Sequence, residues 1–179
     1  MQRVRIYEFP EPTLDYPKIQ SLKLSKFPRN KTQALLSWIR NEEEKQLWSG
    51  NTFRDELNEE VFLTHLERKD IRPFSFLGQR DELICYGEIV ISPENNAVLC
   101  RVIVMPSLRR SGIGKKFIGE IIRWCTTQNM NRIVLNTFGH NEPARACYRS
   151  LGFTEKALKK NFRKVGYQWR DLVVMEKRI

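Results

Sequence analysis

Apolar residues recur at three- and four-residue intervals between Gly112 and Gln128, where Phe117, Ile118, Ile121, Ile122 and Cys125 share one face. That spacing predicts an amphipathic helix whose other face is basic. Upstream, the runs Pro73 to Gly78, Leu83 to Ile91 and Ala97 to Met105 read as successive antiparallel strands, the last two joined by the turn residues Pro93-Glu94-Asn95-Asn96. Arg132 to Thr137 gives a further short apolar strand, and Asp171 to Glu176 the last one. Between them a helix is predicted from Glu142 to Leu151, with Pro143 in its first turn and Gly152 where a C-terminal cap belongs. The first third of the chain is less regular: a strand near Lys18 to Ser25, a helix from Thr32 to Asn41 and a second from Asp55 to Arg68. Strands crossed by helices in this order predict a mixed α/β sheet.

With 179 residues and no repeat or linker, the chain reads as one domain, 1–179, large enough to bury a core without disulfide or metal support. Cys85, Cys100, Cys125 and Cys147 lie far apart, and no N-terminal apolar segment reads as a leader or membrane span. A cytoplasmic protein with free thiols is expected, with no membrane partner. With only His65 and His140 present and no clustered ligand spacing, no metal site is expected. The net charge of +10 sits mainly in residues 81–179, which hold 17 Lys plus Arg against 9 Asp plus Glu. A basic half of this kind suits a phosphate-bearing partner. No helix-turn-helix or RNA-binding signature accompanies it, so no specific nucleic acid is expected.

Two motifs carry the chemistry. Arg109-Arg110-Ser111-Gly112-Ile113-Gly114 follows an apolar strand and opens the best helix, which is the context in which backbone N–H groups gather around a phosphate. About thirty residues on stands Asn141-Glu-Pro-Ala144-Arg-Ala-Cys-Tyr148-Arg-Ser-Leu-Gly152-Phe153. Together these resemble the two signatures of the GNAT superfamily of acyl-CoA N-acyltransferases, on Arg109, Gly112 and Gly114 for the first and on Asn141, Ala144, Tyr148, Gly152 and Phe153 for the second. The resemblance covers roughly Ile71 to Ile179.

It implies an α/β (α+β) fold with a mostly antiparallel central sheet, flanked by helices, in which one parallel strand pair splays apart to admit acetyl-CoA. The pyrophosphate would lie on the N–H groups from Arg110 through Ser111, Gly112, Ile113 and Gly114, with Arg109, Arg110 and Lys115 adding charge. The pantetheine arm would run along Val102-Ile103-Val104. The backbone N–H of Val104 is the candidate donor to the thioester carbonyl, a role in which one donor is worth about 2.7–4 kcal/mol of barrier. Asn141 and Ala144 would hold the cofactor from the other side, and Tyr148, two helical turns after Asn141, would protonate the departing thiolate. Cys147 reads as packing. The implied mechanism is direct attack by the amine.

The general base is open. Glu88 is the nearest carboxylate on the preceding strand, but a hairpin turning about Glu94-Asn95 sets it opposite Arg101, where an ion pair competes with catalysis. His140 and a water chain are the other choices. For the acceptor, Glu42, Glu43, Glu44, Asp55, Glu56, Glu59 and Glu60 stand against only Lys45 and Arg54, a stretch that would attract a small cationic amine or form a solvated helix face. Trp38, Trp48 and Phe53 either line a pocket or fill the core. A protein N-terminus is the second acceptor class, since the C-terminal Gln168-Trp169-Arg170-Asp171 resembles the branch near ribosomal-protein N-terminal acetyltransferases. The alternative is a non-catalytic acyl-CoA sensor. A homodimer is left open.

Overall fold

The computed structural model describes residues 18–179. Seven strands form one sheet in the order β1-β2-β3-β4-β5-β7-β6. They are β1 (Leu24–Lys26), β2 (Ile71–Leu77), β3 (Leu83–Ser92), β4 (Asn96–Val104), β5 (Arg132–Phe138), β6 (Thr154–Val165) and β7 (Gln168–Arg178). All neighbours pair antiparallel except β4 and β5, which run parallel. The helices are α1 (Thr32–Leu36), α2 (Glu42–Ser49), α3 (Glu59–His65), α4 (Ile113–Thr127) and α5 (Glu142–Ser150).

Two buried clusters sandwich the sheet. Phe117, Ile118 and Ile121 of α4 meet Phe76, Ile84, Ile89 and Leu99 in one. Leu35 of α1 and Phe62 of α3 meet Phe27, Tyr86 and Ile71 in the other. Fully burying a Phe or Ile side chain stabilises by about 1.5–3 kcal/mol, so these faces fix which side of each strand turns inward.

Several elements differ from expectation. The predicted first strand is a 3-10 turn, Ile19–Ser21, followed by the three-residue β1, because pairing with β2 is confined to Leu24, Ser25 and Lys26 before Pro28 ends the run. The predicted helix over 32–41 stops at Leu36, and a separate α2 begins where the Asn41 side chain accepts the Glu44 N–H at 2.9 Å. That cap sets a new helix start. The helix expected from Asp55 begins only at Glu59, capped by Asn58. The whole of β6 went unanticipated, since its outer positions are exposed along nearly its full length and carry no apolar alternation.

The hairpin of β3 and β4 also holds a correction. Tyr86 faces Ile103, but Glu88 faces Cys100 rather than Arg101, so Arg101 and Val102 together oppose Gly87. This is a β-bulge, with Arg101 at φ 53°. It reverses the face of every following side chain. Ala97 and Leu99 point to the α4 cluster before it, and Val102 and Val104 point there after it.

Candidate active site

The parallel pairing of β4 with β5 runs only from Asn96↔Arg132 to Leu99↔Leu135, although β4 continues to Val104 and β5 to Phe138. Beyond Leu99 the two strands part, and the opening is the candidate site. Met105 N–H donates to Ile84 O at 2.9 Å. N–H groups alternate between the two edges of an antiparallel strand, so that of Val104 points away from β3 and into the opening. Indole Nε1–H of Trp48 donates to the carbonyl of Arg101 at 2.8 Å and pins the bulge from the α2 side.

A cavity of about 730 Å³ occupies the α4 and α5 side of the opening. Of the sequence-predicted cofactor residues it brings together Val102, Ile103, Val104, Arg109, Arg110, Gly112, Gly114, Lys115, Asn141, Ala144 and Tyr148. Ser111 and Ile113 are outside this lining: the Ser111 hydroxyl donates to Leu108 O at 2.6 Å, and the Ile113 side chain is buried in the core. Sequence reading missed Ile39, Leu47, Ile118 and Pro143, and left Trp38 and Trp48 open between core and pocket. Trp38 does both, packing in the α1 and α3 cluster and lining this cavity. Phe53 is core.

The floor of this cavity fits a pyrophosphate. Gly112 precedes α4 at φ 89°, and a Cβ placed there would meet no protein atom within 4 Å. The space in front of the helix is empty of protein, and a left-handed backbone of this kind is what glycine permits. No side chain caps α4, so its first-turn N–H groups are free to donate to an anion. Arg109 is steered by donating Nε–H to Val104 O at 3.2 Å.

A second cavity, of about 480 Å³, lies on the far side of the opening, between the end of α2, β4, β5 and β6. Leu47, Trp48, Val102, Asn141 and Tyr148 line both, so the two spaces meet at the tyrosine. Burial pushes the Tyr148 phenol above its ordinary value, which keeps it protonated, and its ring packs edge-on against Phe153 at 5.8 Å. Asn141 caps α5, its side chain accepting the Ala144 N–H at 3.3 Å. Cys147 is half-buried, with its thiol also pushed up by burial.

Glu88 lines neither cavity. It is fully buried and accepts from His65 Nε2 at 2.9 Å, from the Tyr86 hydroxyl at 2.5 Å and from Arg101 Nη2 at 2.5 Å. Burial alone would raise its carboxyl; the hydrogen bonds and charges of His65 and Arg101 outweigh it and hold the group at about 2. His140 is exposed in the loop before α5 and also lies outside both linings. The acidic stretch does not build the second cavity either: none of its seven carboxylates lines it, and Glu44 is tied to Arg40. Among the described residues no group of His, Cys, Asp or Glu is placed to hold a metal, and no helix is long and apolar enough to cross a membrane.

A mixed sheet that opens between two parallel strands, above an uncapped helix start reached through a glycine turn, defines a class of folds with a cleft for a phosphate-bearing cofactor. Comparisons with known proteins agree. The model of the acetyltransferase (GNAT) family matches residues 32–153. A [ribosomal protein bS18]-alanine N-acetyltransferase of Salmonella typhimurium is 27% identical over 81 residues, 45% of this chain and 55% of that protein. The chain thus spans about half the length of the curated relative it matches. Among solved structures, a spermidine N-acetyltransferase from Vibrio cholerae in complex with CoA and spermine superposes with a TM-score of 0.77 at 19% identity, over 89% of this chain and 96% of that one. A ribosomal-protein-alanine N-acetyltransferase from Brucella melitensis gives 0.76 at 20% identity, over 88% and 100%. The chain belongs to the acetyltransferase (GNAT) family, whose members use acetyl-CoA.

Proposed function

We propose that this chain transfers an acetyl group from acetyl-CoA to the α-amine of a peptide or protein N-terminus, by direct attack, with Tyr148 as the acid. The observation that carries this reading is the meeting of the two cavities at Tyr148, Asn141 and Val102, one shaped for the cofactor and one reaching it from the other side. Arg110, Gly112 and Gly114 would hold the pyrophosphate with their backbones, and Val102 to Val104 would line the pantetheine. Val104 N–H would polarise the thioester carbonyl. As the carbon–nitrogen bond forms and the carbon–sulfur bond breaks, Tyr148 would give its proton to the sulfur and recover one from the amine through solvent.

The choice of amine follows from protonation. With no carboxylate on the acceptor-side wall and Glu88 sealed in its ion pair, no side chain there serves as a strong base. An α-amine with a reference pKa of about 7.7–8.0 is roughly one-tenth neutral at pH 7, while a lysine-like amine near 10.4 is neutral in fewer than about one molecule in a thousand. The site therefore suits the α-amine and does not suit a polyamine. Glu88 acts, in this reading, by positioning Arg101 and the bulge.

The test is release of CoA thiol from acetyl-CoA with short peptides bearing free N-termini. Tyr148→Phe should lower kcat by about 10²–10⁴-fold, the usual worth of a positioned acid, with acetyl-CoA affinity nearly unchanged. Acetyl-CoA binding without turnover on any amine would favour the sensor alternative instead.

A further inference from the structure

The wall of the acceptor-side cavity is charged in one sense. Arg101, Lys159 and Arg163 line it, and no Asp or Glu does. Arg101 is offset by Glu88 behind it, but Lys159 and Arg163 have no carboxylate partner among the described residues. Both instead rest on the ring of Phe162, at 5.2 and 5.6 Å from its centre. The β6 backbone arranges this. Its register against β7 slips between Lys159 and Arg163, Asn161 takes φ 48°, and the Asn161 N–H donates to Asp171 Oδ1 at 2.8 Å. The slip lets the successive residues Phe162 and Arg163 line the same cavity. Gly50, just after α2, makes room: a Cβ there would lie 2.5 Å from Arg163 Nη1.

We propose that the acceptor carries an anionic group, a carboxylate or phosphate within a few residues of its reacting amine, and that Lys159 and Arg163 bind it. A further observation points the same way. Arg163 has its pKa lowered, by burial first and then by the charge of Arg54, so cations are gathered there against their own repulsion. A spermidine-like polycation would add to that repulsion, whereas an anion relieves it. The inference rests on the reading of this cavity as the acceptor side.

The experiment uses the full chain with acetyl-CoA and three peptide sets sharing one N-terminal residue, with acidic, neutral or basic residues at the next two positions. Free aspartate and spermidine run as separate arms. Acidic peptides should exceed neutral ones by about tenfold or more in kcat/KM, the scale of one charge-assisted hydrogen bond. Arg163→Glu should reverse the order of acidic and basic peptides, and Lys159→Gln should narrow it. The acetyl-CoA KM of each variant shows whether it has folded. Preference for free aspartate over acidic peptides would assign the anion to a small molecule and keep the subsite. Equal turnover of all peptides, or best turnover of spermidine, overturns the proposal while leaving the acetyltransferase reading intact. If no acceptor releases thiol, that reading fails separately, and calorimetry with N-acetylated peptides decides the subsite. Binding of the acidic product alone supports it, and equal or absent binding overturns it.

Discussion

Replacing Glu88 by Gln is the most informative single perturbation of this chain, because it separates two roles for one carboxylate. The side chain is fully buried between His65, Tyr86 and Arg101. Its carboxyl is held at about 2 against a usual value of 4.5. At about 1.36 kcal/mol per unit, that depression corresponds to roughly 3 kcal/mol of folding stability. The same size follows independently from the cost of breaking a buried ion pair, about 3–5 kcal/mol, since the variant strands the Arg101 guanidinium. The folded value is lowered, so this stability is complete above the unfolded pKa and is lost as pH falls from 4.5 through about 2.

The expected result for Glu88→Gln is a loss near 3 kcal/mol in urea unfolding at neutral pH, or a Tm lower by about 6–12 °C for a domain of this size. The contribution to acid unfolding between pH 4.5 and 2 should disappear with it. Turnover should fall only as far as the loosened bulge disturbs the cofactor strand. A general base, by contrast, would give an unchanged unfolding curve with a 10²-fold or larger fall in kcat, largest above the pKa of the base. That combination would refute a positioning role for Glu88 and return the carboxylate to the chemistry.

Two further perturbations probe the cofactor side. Gly112→Val should weaken acetyl-CoA binding by at least about tenfold in calorimetry, because it fills the space before α4; the left-handed backbone should cost about 1–2 kcal/mol of stability as well. Retained affinity would place the pyrophosphate elsewhere. Asn141→Ala removes the α5 cap and should cost about 1 kcal/mol in unfolding, with a larger effect on kcat/KM for acetyl-CoA than on thermal stability. An effect on stability alone would make Asn141 a cap and nothing more.

The cofactor half of the site was legible because backbone chemistry forced its residue types. Gly112 is needed at a positive φ, Asn141 at a helix start, and the apolar stripe of α4 at its 3.6-residue period. The acceptor half was not. Lys159, Phe162 and Arg163 reach the cavity from a strand whose outer positions are exposed, so no alternation announces it, and a register slip decides which side chains point inward. The acidic run from Glu42 to Glu60 drew attention through its charge, yet its first members are the N-terminal turn of α2 and partners of Arg40 and Lys45. One local signal was present and passed over: Asn41 with Glu44 three residues on marks a helix start. The bulge at Arg101 and Val102 had none, because the sequence there reads as an uninterrupted strand.

That bulge makes the site depend on a count as well as on residue types. Ala97, Leu99, Val102 and Val104 share a face only because one extra residue stands between the two pairs. Drawing these same residues into an unbroken ladder, with none removed, would turn the two valines out of the core and carry the Val104 N–H to the closed edge. What the extra residue contributes is its own contacts: with Arg101 deleted the valines would still face α4, but the carbonyl that accepts from Trp48 and the guanidinium that meets Glu88 would be gone.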